Sequence, residues 1–338
     1  MPLGHELASV SSRHRDEAEW KFNHIMSYFH QPVLLGEVLE YLQPKPNQNF
    51  IDCTVGGGGH AEAILEKTSP RGKLLGLDRD PAAIAASLKR LNKYKNRITL
   101  IQDSYKNLDK ILYGKRLFLQ LSGILLDLGI SSYQVSIEDQ RGFSFRKEAP
   151  LDMRFGPDGE LTAEKILNNY SEKKLTEIFK KFGEEPRAKQ LAKQIILFRK
   201  REPIRTTSAL MGTIKKLSAI QSCSDGLHPA TRVFQALRIA VNDELNVLEE
   251  SLPKLLKILP VGGRLAVISF HSLEDRIVKQ YFNQESKDCL CPKEIPVCRC
   301  SHQKTVKILN KKVIIPRPEE VRKNPRSRSA KLRVVERI

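Results

Sequence analysis

The segment Asn49-Phe50-Ile51-Asp52-Cys53-Thr54-Val55-Gly56-Gly57-Gly58-Gly59-His60 decides the fold. Its first four residues read as a short buried strand that runs straight into four consecutive glycines. Glycine has no Cβ, so the backbone can turn tightly there and approach a ligand closely. Residues 60–67 read as a helix whose first N–H groups point at the same place. Gly56-x-Gly58-x-x-Ala61 also satisfies a loose dinucleotide fingerprint, a weak signal that a purely structural turn can produce.

Residues 33–42 repeat their apolar positions at helical spacing until Pro44 and Pro46 end the run. Downstream, Lys73-Leu74-Leu75-Gly76-Leu77-Asp78 is a second strand, with a helix over roughly 81–93. Ile98-Thr99-Leu100-Ile101 and Gly123-Ile124-Leu125-Leu126-Asp127 are the third and fourth strands. Strand and helix alternating at this spacing predict an α/β fold on a parallel sheet with right-handed crossovers. From about 136 to 226 the chain turns polar, with helical stretches near 162–168, 172–182 and 187–200. Alternation resumes with a long amphipathic helix over roughly 229–258, a strand at Arg264–Phe270 and a helix over 272–284. The economical organisation is a helical insertion, residues 136–226, inside one α/β domain made of 26–135 and 227–338. Residues 1–25 read as a mobile extension, lacking the apolar centre of a secretory signal.

The strand-end carboxylates narrow the ligand. Asp78 ends the second strand about 20 residues after the loop, where an acid accepts both hydroxyls of a ribose. Asp52 sits just before the loop, where it would repel a pyrophosphate and favour a cationic amino group. Asp127 ends the fourth strand, so the three acids should converge on one crevice beyond the carboxyl ends of the strands. A solvated strand-end Asp is the plainer alternative for each.

Lys and Arg number 57 against 39 Asp and Glu, a formal charge of +18, which favours polyanionic partners. Arg317, Arg322, Lys323, Arg326, Arg328, Lys331, Arg333 and Arg337 crowd the C-terminus and read as a basic tail. Phe143, Phe145 and Met153, interleaved with Arg141, Arg146 and Arg154, suit unstacked RNA bases, with core packing as the alternative for the aromatics. No apolar run is long enough to span a membrane. Six cysteines in 338 residues do not make a disulfide scaffold, and a reducing cytoplasm is the simplest setting. Cys289-x-Cys291 and Cys298-x-Cys300 could hold a structural zinc; a reduced or disulfide-paired loop is the alternative.

These residues carry a family resemblance. His30–Leu35, Asp52–His60, Leu77–Pro81, Leu125–Ser132, Arg141–Phe145, Pro150–Arg154, His228–Arg232, Ser269–Arg276 and Asn324–Ser329 resemble, in order, the bacterial 16S ribosomal RNA (cytosine-N4)-methyltransferases, the RsmH or MraW family. The resemblance implies a Rossmann-like S-adenosylmethionine-dependent methyltransferase sheet with an inserted helical domain. It implies methyl transfer to the N4 of a cytidine in 16S ribosomal RNA, within the small ribosomal subunit. It also carries cofactor contacts onto Gly58, Gly59, His60, Asp78, Asp127 and Gln134, with Tyr105 beside the adenine.

A sulfonium methyl is already activated, so S-adenosylmethionine chemistry requires no metal and reduces mainly to alignment. The proton leaving the amine needs an acceptor. Many amino-methyltransferases place Pro-Pro-aromatic after the strand-end acid, whereas this chain has Leu128-Gly129-Ile130-Ser131-Ser132. Candidate substrate groups are the carbonyls near Leu128, the hydroxyls of Ser131 and Ser132, and His271, which a helix cap would explain equally well. Competing readings are a nicotinamide oxidoreductase, a non-catalytic RNA-binding assembly protein and a DNA cytosine-N4 methyltransferase.

Overall fold

The computed structural model describes residues 32–113, 121–130, 141–157, 159–218, 229–292 and 297–338. The extension at 1–25, Ser131, Ser132 and Gln134 lie outside the described residues. From Val33 onward the chain forms one compact unit. It opens with α1 (Leu35–Leu42), β1 (Asn49–Asp52), α2 (Gly59–Lys67), β2 (Leu74–Asp78) and α3 (Pro81–Arg90). β3 (Ile98–Gln102), α4 (Leu108–Leu112) and β4 (Leu121–Asp127) complete the first half of the sheet. Helices then take over: α5 (Ala163–Asn169), α6 (Glu172–Gly183), α7 (Ala188–Arg199), α8 (Thr207–Ser218) and α9 (Pro229–Asn242). The second half comprises α10 (Glu244–Ile258), β5 (Arg264–Ser269), α11 (Ser272–Glu285), β6 (Val306–Ile308), α12 (Pro318–Lys323) and β7 (Lys331–Arg337).

The strands form one sheet in the order β3-β2-β1-β4-β5-β7-β6. β1 to β5 are parallel, and β7 runs antiparallel between β5 and β6. After β3 the chain crosses back to the far side of β1, so the topological switch lies between β1 and β4. A ligand crevice belongs outside the carboxyl ends of these two strands. Both faces of the sheet are covered, as a parallel sheet requires. Ile51, Leu75, Leu77, Ile124, Leu126 and Val267 face α10 and α11. Their alternate neighbours Phe50, Leu74, Leu125, Ala266 and Ile268 face α1 and α2.

A separate core gathers residues between Phe143 and Leu237, with Leu175, Phe179, Leu191 and Ile195 fully buried. α9, which the sequence reading groups with the sheet, sends Ala230, Val233, Phe234 and Leu237 into this core. α8 was not expected; Thr207, Ser208 and Gly212 weaken its helical signal, and packing of Leu210 and Ile214 supplies what propensity lacks.

Two further expectations are corrected. The single helix over 229–258 is two helices, broken where Asp243 adopts φ 54°. The buried Asn242 fixes that break: its Nδ2 donates to the carbonyls of Met153 (2.7 Å) and Arg238 (3.0 Å), and its Oδ1 accepts the Phe155 N–H (2.8 Å). The basic tail is largely structure. Leu332, Val334 and Val335 are buried in β7, while Arg333 and Lys331 both reach Asp275 of α11 and Arg337 caps the Leu256 carbonyl. Charge dominates this stretch in sequence, yet its apolar positions place it inside the sheet. Arg317, Arg322, Lys323, Arg326 and Arg328 remain on the surface.

Candidate active site

At the mouth of β1 the glycine loop is held by the sheet itself. The Val55 N–H donates to the Leu77 carbonyl (2.8 Å) and the Gly58 N–H to the Val55 carbonyl (2.8 Å). Gly58 adopts φ 78° at the start of α2, a left-handed conformation that glycine enters without strain. Ser87 of α3 donates its hydroxyl to the Gly56 carbonyl (2.8 Å), fixing the loop from its other side.

The three expected acids do converge. Asp52 is buried, and its Oδ1 accepts the Thr54 N–H at 3.1 Å. Burial pushes its carboxyl up to about 7, against the pull of that hydrogen bond and with help from the Asp78 charge. Asp78 accepts the N–H of Gly56 on Oδ2 (3.0 Å) and that of Asp80 on Oδ1 (2.9 Å), so it ties the loop to the start of α3. Its carboxyl is pushed up to about 6, again chiefly by burial. Asp127 is linked to β1 through its N–H, which donates to the Thr54 hydroxyl at 2.6 Å. Burial, followed by the charges of Asp52 and Glu274, holds Asp127 well above the usual carboxylate range. Its Oδ1 is buried without a hydrogen-bond partner among the described residues, which leaves an acceptor for a ligand donor.

Of the other expected residues, Gly59, His60 and Tyr105 lie within the described part of the chain. Gly59 begins α2. His60 is buried between Val33, whose carbonyl lies 3.0 Å from Nε2, and Asp127, whose Oδ2 lies 3.7 Å from Nδ1. Tyr105 follows β3 beside the end of β2, where the Asp103 N–H donates to the Asp78 carbonyl. The ring packs on the core, and burial raises its phenol.

His271 is a helix cap. Its Nδ1 accepts the Glu274 N–H at 3.3 Å, and Glu274 accepts the N–H groups of Phe270 (2.8 Å) and His271 (3.3 Å) in a reciprocal capping box. Its Nε2 lies 3.2 Å from Glu274 Oε1. The ring is thereby turned toward α11, which supplies the structural reason for a histidine at this position.

Several residues to which the sequence assigned no role join His271 and Arg141 in the surroundings. Glu274, Glu244 and His271 place ligand-type atoms within 4.8 Å of one another. Arg238 forms a buried two-point pair with Glu244, Nε to Oε1 at 2.8 Å and Nη2 to Oε2 at 3.0 Å. Arg141 reaches across to the buried Asp80 at 2.6 Å, and Arg79 donates to the Asn242 carbonyl at 3.2 Å. The helical segment is thus pinned to the residues immediately after Asp78. Arg141 and Asp80, like Arg79 and Asn242, are distant in sequence, and spacing alone could not have paired them. The supposed base-binding aromatics are core residues instead: Phe143 stacks on Phe155 at 5.8 Å, and Phe145 meets Phe234 edge-on at 5.4 Å. Arg154 is held by Asp152, leaving Arg146 as the exposed member of that basic set.

Comparison with known proteins now decides the family. The model of the MraW methylase family matches residues 27–338, nearly the full chain. This chain belongs to the MraW methylase family. Ribosomal RNA small subunit methyltransferase H of Heliobacterium modesticaldum is 48% identical over 313 residues, covering 93% of this chain and 100% of that protein. The protein of the same name from Clostridioides difficile is 43% identical over 313 residues, with the same coverage. A crystal structure of an rRNA methylase from Streptococcus thermophilus aligns over 89% of this chain and 95% of its own at 12% identity and a TM-score of 0.39, so the membership rests on the sequence relatives. For a MraW methylase the crevice has a clear chemical fit. Its orphaned Asp127 oxygen calls for an N–H donor, and its crowded carboxylates call for a cation, two features that S-adenosylmethionine combines.

Proposed function

We propose that this chain transfers the methyl group of S-adenosylmethionine to the exocyclic N4 of a cytidine in 16S ribosomal RNA. The observation that carries this reading is a coincidence of extents. The family match over residues 27–338 contains the glycine loop and all three strand-end carboxylates, and the relatives are small-subunit ribosomal RNA methyltransferases.

S-adenosylmethionine is the methyl donor, and its sulfonium supplies an activated methyl group. Gly58, Gly59, His60, Asp78, Asp127, Tyr105 and Gln134 are the residues assigned to hold it. Asp52 adds negative charge behind the loop, where it favours a cationic ligand. The Asp127 Oδ1 accepts an N–H from the bound cofactor or from the target base. The remaining contribution of the chain is alignment, since an amine held in line with a sulfonium methyl needs little further assistance.

Residues 136–226 are assigned to an inserted helical domain, with 26–135 and 227–338 as the methyltransferase domain and 1–25 as an extension. The separate helical core supports a helical insertion, and α9, which packs into that core, carries the helical unit past residue 226. Among the described residues no helix is long and apolar enough to cross a membrane. The assigned setting is the cytoplasm and the assigned substrate is the small ribosomal subunit.

The test is nucleoside mass spectrometry after incubating the protein and S-adenosylmethionine with unmodified small subunits. N4-methylcytidine should accumulate and should be lost with Asp78→Ala. Cofactor binding without any methylated ribosomal nucleoside would sink the assignment.

A further inference from the structure

The second half of the molecule carries a cluster of thiols that methyl transfer does not use. Between α11 and β6, Cys289, Cys291, Cys298 and Cys300 bring their sulfurs within 4.8 Å of one another. Cys289 lies 3.4 Å from Cys298 and 3.8 Å from Cys300, and Cys298 lies 3.5 Å from Cys300. These separations are far beyond a disulfide bond of about 2.05 Å. Four sulfurs held tetrahedrally at about 2.3 Å from one zinc ion stand about 3.8 Å apart. The observed separations approach that spacing.

We propose that Cys289, Cys291, Cys298 and Cys300 form a structural zinc site. Each C-x-C pair offers two sulfurs from one turn of chain, and the two pairs face each other. Backbone N–H groups are aimed at the sulfurs, from Leu290 to Cys300 (3.3 Å), Cys291 to Cys289 (3.4 Å) and Arg299 to Cys291 (3.3 Å). Such donors stabilise thiolate charge. His302 is committed elsewhere, its Nε2 lying 3.2 Å from the Gln284 carbonyl, so the donor set is four sulfurs.

Among its described residues the loop has no apolar core to order it. Cys289, Cys298 and Cys300 are exposed, Val297 is 70% exposed and Leu290 is 40% exposed. Its base is fastened where Thr305 donates its N–H to the Glu285 carbonyl (2.8 Å) and its hydroxyl to Glu285 Oε2 (2.7 Å). Above that base, a bound metal would supply order, as in small segments whose folding energy is metal-binding energy. Binding replaces up to four S–H bonds with four Zn–S bonds and releases the corresponding protons to solvent, with no change of oxidation state. Four protein ligands leave no open position, so the ion staples the link between α11 and β6 and takes no part in the methyl transfer.

The test uses the full chain, purified under reducing conditions from zinc-supplemented cells, with metal content measured by plasma mass spectrometry. One zinc per chain is expected, falling at least fivefold in Cys289→Ser and Cys300→Ser. Replacement by Co²⁺ should give the visible bands and near-ultraviolet thiolate charge transfer of a tetrahedral sulfur site. Limited proteolysis should cut within 286–304 after chelation but not before. A reduced, folded wild-type chain that binds neither Zn²⁺ nor Co²⁺ would overturn the proposal. So would cysteine pairs found as disulfides in protein isolated with thiols trapped at lysis.

Discussion

At the scale of single residues, Asp52 shows how the site holds charge against the interest of the fold. Its carboxyl is raised to about 7, whereas in the unfolded chain it titrates near 3.8. The folded state therefore binds the extra proton between these values. The stability linked to this group is fully present below about 3.8 and is lost as pH rises through about 7. Asp52→Asn keeps an acceptor for the Thr54 N–H and removes the buried charge. It should stabilise the unliganded protein at pH 8 by on the order of 1–3 kcal/mol and flatten the dependence on pH between 5 and 8. The same substitution should weaken S-adenosylmethionine binding about tenfold or more. Urea unfolding and calorimetric titration at both pH values check this; an unchanged pH slope would remove Asp52 from the account. In the wild type, cofactor affinity should fall as pH drops from 8 to 5.5, because protonation of Asp52 and Asp78 discards the charge that favours a cation. His271→Ala makes a different forecast: loss of the cap should cost about 1–2 kcal/mol, with turnover per folded molecule unchanged within a few-fold. A hundredfold loss of turnover in fully folded protein would return His271 to the chemistry.

At the scale of elements, the break between α9 and α10 joins the helical segment to the residue that follows Asp78. Asn242 satisfies two carbonyls and one N–H across that junction, and Arg79 donates to its own carbonyl. Asn242→Ala leaves buried polar groups unpaired and should destabilise by roughly 2–4 kcal/mol. It should also raise the KM for cofactor more than it lowers kcat, since the loosened contacts lie beside Asp78. Steady-state kinetics at a temperature where the variant is fully folded would separate these effects; equal kcat and unchanged KM would show the junction to be structural only. Arg238 tests the same region from within. Removing it strands the Glu244 carboxylate in a buried setting, a change worth about 3–5 kcal/mol, whereas Arg238→Ala combined with Glu244→Gln should recover part of that loss in denaturant titrations.

For the whole molecule, the net charge of +18 divides into two populations. Arg141, Arg238, Arg264, Arg333 and Arg337 are spent inside, on carboxylates and carbonyls. Lys279, Lys304, Lys307 and Lys311 stay exposed around a cavity of about 530 Å³ between α11 and β6. A polyanionic substrate is expected to find its counter-charge in the second population. Lys307→Ala with Lys311→Ala should weaken binding to ribosomal RNA uniformly across sequences and reduce the slope of log affinity against log salt by about two, one per lost phosphate contact. Binding measured between 50 and 300 mM salt tests this, and a slope equal to that of the wild type would move the RNA-binding surface elsewhere.

By itself the sequence determined the parallel half-sheet and its ligand end, because those signals are local. A four-residue apolar run, a glycine turn and an acid at a strand end each declare themselves within a few residues, and strand alternation then forces the acids to one edge. It also marked Cys289, Cys291, Cys298 and Cys300 as a group, since all lie within one loop. The tertiary structure alone decided what depends on partners far along the chain. Arg141 meets Asp80, and Asn242 breaks a helix in order to reach Met153 and Phe155. The C-terminal stretch is the sharpest case. Its charge density reads as a solvated tail, yet Leu332, Val334 and Val335 find an open edge of the sheet at β5. Burial on both faces of that edge outweighs the cost of placing Arg333 and Arg337 there, because Asp275 and the Leu256 carbonyl are positioned to receive them.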